Sequence, residues 1–177
     1  MNAYVLVGGR SRRMGESKAE MFVARVIAAA APVFDEVVAV ERLAVGGWRL
    51  AGVRVIRDLR EGAIFGVVRA LQDAQAPCFL LAVDYPLITS DVLRFLRDDG
   101  RMPEWNGRPQ PLCAVWDSAW LPRIEERIAR GELDLRGAYE NEIIAESELR
   151  SHFAGEPLLN VNTPEEWERA QRFLASR

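Results

Sequence analysis

Histidine and cysteine are almost missing from this chain: its 177 residues hold one histidine, His152, and two cysteines, Cys78 and Cys113. His152 has no serine, cysteine or aspartate arrangement around it in sequence, so it reads as a surface residue and not as a catalytic base. Both cysteines lie in apolar runs, which predicts buried reduced thiols and excludes a disulfide framework or a metal pair. No stretch approaches the roughly 18 consecutive apolar residues of a membrane span, and Met1 leads straight into a strand. Neither a membrane segment nor a signal peptide is expected, and the cytoplasm is the expected compartment. An excess of one charge is missing too. A net charge of −3 gives no broad attraction to nucleic acid, so any anion site must be local. No repeat, low-complexity segment or linker breaks the chain, and 1–177 reads as a single domain.

What is present is concentrated near the amino terminus. The apolar run Tyr4 to Val7 ends in Gly8-Gly9, and Arg10, Ser11, Arg12, Arg13, Gly15 and Lys18 follow at once. An apolar run bounded by glycine predicts a short buried strand leaving its sheet. Adjacent glycines let the backbone turn tightly and approach a ligand, because no Cβ stands in the way. Backbone N–H groups in such a loop form an anion-binding concavity, and the surrounding cations suit a polyphosphate. Two familiar phosphate loops are excluded. A Walker A loop needs Gly-Lys-Ser/Thr after four spacers, and a dinucleotide fingerprint needs G-x-G-x-x-G opening a helix.

Along the chain, strands and helices alternate. Ala19 to Ala31 is apolar nearly all round, which predicts a buried helix ended by Pro32. Val37–Val40 and Val53–Ile56 read as strands, and a helix is predicted from about Phe65 to Gln75, stopped by Pro77. Cys78 to Val83 is the most apolar strand candidate and runs directly into Asp84-Tyr85-Pro86-Leu87. A carboxylate there stands in the crevice where open α/β sheets bind ligands. Thr89-Ser90-Asp91 caps a helix reaching about Asp99, which Gly100 ends. Arg101 to Pro109 reads as a polar loop, Pro111 to Trp116 as a strand, and Pro122 to Gly131 as a helix. A short helix over Leu133–Tyr139 and a short strand over Glu142–Ala145 follow. Thr163, Pro164 and Glu166 form a capping box for a terminal helix. The alternation implies a mostly parallel sheet with helices on both faces.

Leu6-Val7-Gly8-Gly9-x-Ser11-x-Arg13-Met14-Gly15-x-x-Lys18 resembles the signature loop of the MobA-like nucleotidyltransferases. Asp84-x-Pro86-Leu87 after a hydrophobic strand, and Leu159-Asn160-Val161-Asn162-Thr163-Pro164, resemble two further marks of that family in the right order. Paired Gly8-Gly9 resembles its guanylyl members, which join GMP to molybdopterin. The resemblance covers the chain from end to end. It implies an α/β, Rossmann-like fold of the nucleotide-diphospho-sugar transferase type.

The same resemblance implies roles for residues. Mg²⁺ is held by Asp84, Arg13 and Lys18 carry the charge of the reacting phosphates, and Gly9 and Ser11 belong to the phosphate loop. Leu6, Val7 and Gly8 approach the nucleoside of GTP, and Asp58 contacts the nucleotide. Asn160 and Asn162 fall near the acceptor, the molybdenum cofactor, although capping alone also accounts for asparagines at such a place. Transient contacts with Mo-cofactor enzymes or chaperones are implied, and neither nucleic acid nor membrane. Four departures from the family pattern are visible. Ser17 replaces an aspartate, the segment between Lys18 and the first helix is short, Glu41-Arg42 replaces an asparagine, and Gly62-Ala63-Ile64-Phe65-Gly66 is a reduced motif. They leave open a cytidylyltransferase or another base or acceptor, and a non-catalytic nucleotide-binding homologue.

Overall fold

The computed structural model describes residues 1–7, 16–42, 52–58 and 60–175, with the backbone alone for 16–21 and 42. Strands β1 (Ala3–Val7), β2 (Val37–Arg42), β3 (Arg54–Asp58), β4 (Cys78–Ala82) and β7 (Cys113–Trp116) form one sheet in the order β3-β2-β1-β4-β7. The first four run parallel and β7 lies antiparallel on β4, so the sheet is mostly parallel, as the alternation implies. β4 is buried along its whole length, which is why Cys-Phe-Leu-Leu-Ala carries no alternation.

Helices cover both faces. Val5, Val7 and Leu81 meet Val23 and Val26 of α1 (Glu16–Ala30) and Leu93 and Leu96 of α3 (Ser90–Asp99). Tyr4, Val38 and Leu80 meet Val67 and Leu71 of α2 (Ala63–Ala74) and Ile124 of α4 (Leu121–Ala129) on the other face. Burying side chains of this size contributes roughly 1.5–3 kcal/mol each. Phe22, Leu87, Leu159, Val161 and Trp167 form a third cluster, which seats α6 (Pro164–Ala175) beside α1. The capping box of α6 is present: Glu166 N–H donates to Thr163 Oγ1 at 3.2 Å, and Thr163 N–H donates back to Glu166 Oε2 at 3.0 Å.

Local details differ from expectation. α1 begins at Glu16 and not at Ala19, so Lys18 stands in its first turn. Arg101 to Pro109 is not a loop but a hairpin, β5 (Met102–Trp105) and β6 (Arg108–Pro109), which β8 (Ile143–Ile144) completes into a second sheet. Its turn, Asn106-Gly107, has φ of 52° and 65°, the left-handed pair that a two-residue hairpin turn requires. Leu133–Tyr139 is not helical; the Gly137 N–H donates to Asp134 Oδ1 at 2.8 Å in a local turn. A short helix unforeseen in the sequence, α5 (Glu146–His152), ends at His152, whose exposed ring lies 4.7 Å from that of Phe95. Cys78 and Cys113 are buried and unpaired.

Candidate active site

The parallel strands deliver their carboxyl ends to one edge of the sheet. Val7 pairs with Glu41 across β1 and β2, Arg42 with Asp58 across β2 and β3, and Leu6 with Ala82 across β1 and β4. The chain leaves β1 towards β2 on one side while β4 lies on the other, which makes the β1–β4 crevice the switch point where open α/β sheets bind ligands. From the end of β3 to the end of β4 is three strand spacings, about 14 Å. One edge therefore presents two separated acids, Asp58 and Asp84, with the exit of β1 between them.

Asp84 stands two residues beyond β4, half-buried, and its burial pushes the carboxyl pKa up to about 6. No hydrogen-bond donor or cation among the described residues pairs with its side chain, so the charged form lacks compensation. Its backbone carbonyl accepts from the Val161 N–H at 2.8 Å, which brings the segment 160–162 onto the site. Asn162 Nδ2 donates to Asn160 Oδ1, and the Asn162 N–H donates to Glu166 Oε2 at 2.6 Å. Asn162 thus serves the cap of α6, and Asn160 faces the turn that holds Asp84.

At the far side, Asp58 is only 4% exposed. Its Oδ1 accepts from the Arg60 N–H at 3.2 Å and from Arg60 Nε at 3.4 Å, whereas buried Oδ2 has no partner among the described residues. An orphaned carboxylate oxygen of this kind suits a donor brought by a ligand. Glu41, also buried, accepts from Arg57 Nε at 3.3 Å. Leu6 packs against α2 where Gly66 lets the helix come close: a Cβ on Gly66 would lie 3.1 Å from Leu6 Cδ2. That glycine, the last of the reduced motif, has a packing reason.

The structure thus gathers Leu6, Val7, Asp58, Asp84, Asn160 and Asn162 on one rim of the sheet. Gly8, Gly9, Ser11 and Arg13 lie outside the described residues, as does the Lys18 side chain. Among the described residues no group of three or more His, Cys, Asp and Glu side chains could hold a metal. Asp84 is therefore a single carboxylate. A lone, uncompensated oxygen ligand fits Mg²⁺, which takes few carboxylates and completes its shell with water and phosphate. Residues missed in the sequence are Tyr85 and Gln110. The Tyr85 hydroxyl donates to Gln110 Oε1 at 2.9 Å behind Asp84. Asn106-Gly107 was the signal that could have exposed the hairpin carrying Gln110.

Residues 3–146 match the MobA-like NTP transferase domain. The chain belongs to that family. Among MobA-like relatives, a probable molybdenum cofactor guanylyltransferase of Pelotomaculum thermopropionicum is 32% identical, over 94% of this chain and 90% of its own length. The molybdenum cofactor guanylyltransferase of Desulfosudis oleivorans is 28% identical over 94% and 92%. The crystal structure of molybdopterin-guanine dinucleotide biosynthesis protein A from Archaeoglobus fulgidus superposes with a TM-score of 0.82 at 26% identity, covering 100% of both chains. Like them, this chain is a MobA-like α/β protein. Among its described residues, no helix is long and apolar enough to cross a membrane.

Proposed function

We propose that this chain transfers GMP from GTP to molybdopterin, forming the guanine dinucleotide and releasing pyrophosphate in the cytoplasm. The observation that carries the reading is Asp84: a half-buried carboxylate at the switch point, without a side-chain partner among the described residues and with the 160–162 segment bonded to its backbone. The relatives named molybdenum cofactor guanylyltransferase support the same choice of substrates. The terminal phosphate of molybdopterin attacks the α-phosphorus in line. One P–O bond forms as the bond from the α-phosphorus to the pyrophosphate oxygen breaks. Asp84 is the residue that would hold Mg²⁺, which would supply charge neutralisation at the phosphate oxygens.

The protein's own task is positioning and charge stabilisation. Gly8, Gly9 and Ser11 offer backbone N–H groups to the phosphates, and Arg13 and Lys18 take the charge that builds on the leaving pyrophosphate. Leu6 and Val7 present backbone to the nucleoside, and the Asp58 oxygen that has no partner among the described residues receives a donor from it. Asn160 and Asn162 stand on the acceptor side. The residues 1–177 act as one domain, and handing the product on calls for transient contact with Mo-cofactor enzymes or chaperones.

Buried Glu41, the last residue but one of β2, stands where the family pattern has an asparagine, which favours a second reading, the same transfer with another base. Pyrophosphate release with molybdopterin, measured with GTP, CTP, UTP and ATP in turn, decides between them. GTP is expected to be the best donor by tenfold or more, the scale of one or two discriminating contacts. Preference for CTP would establish the second reading, and release with none of the four would refute both.

A further inference from the structure

Glu156 holds three parts of the chain with one carboxylate. Its Oε2 accepts from the Trp105 Nε1–H of β5 at 3.3 Å. Its Oε1 stands 3.2 Å from Arg169 Nη2 of α6 and 3.7 Å from Arg150 Nη2 of α5. The Arg150 guanidinium also lies over the Trp105 ring, 4.2 Å from its centroid, so the indole is held both on its face and at its N–H. Arg150 pairs in turn with Glu146, whose Oε2 accepts from the Gly107 N–H at 3.4 Å in the hairpin turn. Two guanidiniums and two carboxylates balance in this cluster. The Glu156 side chain is 13% exposed, so solvent screens its bonds less than those of a surface pair.

The same residue begins the stretch that runs to the rim of the sheet. Its backbone carbonyl accepts from the Leu159 N–H at 3.1 Å, which turns the chain, and the Val161 N–H then donates to the Asp84 carbonyl at 2.8 Å. Leu158 enters the main core, and Leu159 and Val161 enter the third cluster. Apolar burial is non-directional. It keeps the stretch on the protein but does not fix where along the rim Asn160 and Asn162 stand. Directed bonds at the two ends do so: the carboxylate of Glu156 at one, and the Val161 and Asn162 N–H groups at the other.

We propose that Glu156 is a positioning residue for the acceptor: its carboxylate ties the β5–β6 hairpin, α5 and α6 together and so sets where Asn160 and Asn162 stand on the rim. It acts on molybdopterin through those asparagines, not by touching the reacting atoms. The inference rests on the reading of Asn160 and Asn162 as the acceptor side. The nucleotide side, at Asp58, ends the edge strand β3 across β1 and β2 from β4, and it shares none of these bonds.

Glu156→Ala removes all three bonds and leaves two guanidiniums with one acid. The expected result is a roughly tenfold rise in KM for molybdopterin, the scale of one lost charge-assisted hydrogen bond, with kcat and the equilibrium affinity for GTP changed by less than about twofold. Glu156→Gln keeps an acceptor for the Trp105 N–H and should recover part of the loss, to about threefold. The Arg169 side chain is half exposed, so Arg169→Ala cuts one arm and leaves the core intact, with KM expected to rise about threefold. Hydrogen exchange reads the link without any reaction: amides in 158–162 should exchange faster in Glu156→Ala and Arg169→Ala, and those of β1 and β2 should not. An unchanged molybdopterin KM in Glu156→Ala would overturn the inference. Loss of kcat or GTP affinity in step with KM would also overturn it, since it would mean general loosening. Should Glu156→Ala fail to fold, Glu156→Gln and Arg169→Ala decide by the same readouts. If the wild-type protein forms no dinucleotide from molybdopterin, the functional reading fails and exchange alone decides: faster in 158–162 alone upholds Glu156 as the residue that fixes this stretch, and unchanged or uniformly faster exchange refutes it.

Discussion

The two ends of the main sheet handle carboxylates in opposite ways. At the amino end, Arg54 donates to Glu36 at 2.9 Å and to Asp73 at 2.8 Å, and the Tyr4 hydroxyl donates to Asp73 at 2.8 Å. The guanidinium of Arg54 holds both acids below their ordinary pKa values. At the carboxyl end, burial pushes Asp84 up to about 6, and one oxygen of buried Asp58 has no partner among the described residues. Paired acids stabilise the fold as it stands. Unpaired ones store an unmet demand for a cation or a donor, which a ligand satisfies. The difference separates the end that maintains the sheet from the end that works.

Asp84→Asn breaks the comparison most severely. It keeps the shape and removes the charge that would hold Mg²⁺. Pyrophosphate release should fall by about 10³-fold, the upper range for one preorganised electrostatic partner. The stability change has the opposite sign. Because the native state holds its proton up to about 6 while the unfolded chain releases it near 4, the native state binds more protons across that window. Stability of the ligand-free protein therefore falls as pH rises through it. The substitution should remove that slope and raise stability at pH 7 by about 2 kcal/mol, or about 4–8 °C in Tm. Normal turnover with no gain in Tm would reduce Asp84 to a turn residue.

Lys18→Ala sharpens the comparison from the side of the phosphates. The lysine stands in the first turn of α1, next to the loop that leaves β1. Charge concentrates on the leaving pyrophosphate in the transition state, where a fixed ammonium matters more than in the ground state. kcat should fall roughly 10²-fold and GTP affinity about tenfold or less. Pyrophosphate release and equilibrium titration on one preparation give both numbers. Equal losses would make Lys18 a uniform binding residue.

Arg54→Ala tests the other end and should have the smallest effect. Arg54 and Glu36 are about two-fifths exposed, so solvent screens the network, and about 1 kcal/mol of stability is at stake. Tm should drop by about 2–4 °C with turnover unchanged. Glu36 and Asp73 have depressed pKa values, so their contribution is present above their unfolded values and is lost as pH falls. An acid-side stability loss that is the same in wild type and variant would count against this network as its source.

Much of this was legible before folding is considered. The run ending at Gly8-Gly9, the acid after the apolar strand Cys78–Ala82, and the Thr163–Glu166 capping box are local patterns with local causes. A helix start three residues early is a small error of the same local kind. The hairpin at Asn106-Gly107 left a local signal that the reading of Arg101 to Pro109 as a loop passed over: Asn-Gly suits the left-handed pair of φ angles its turn adopts.

The sequence by itself determined the alternation of elements, the end of β1 at Val7 and the acid after the end of β4. Hydrophobic period, caps and turns depend on neighbours within a few residues, so they are written in order along the chain. Tertiary structure alone decided that β7 lies antiparallel beside β4, that Val161 donates to the carbonyl of Asp84, and that the Tyr85 hydroxyl donates to Gln110. Those partners are far apart in sequence, and no local period marks them. Packing chose them, because a buried hydroxyl or amide must be paired by whichever group the folded chain brings within reach.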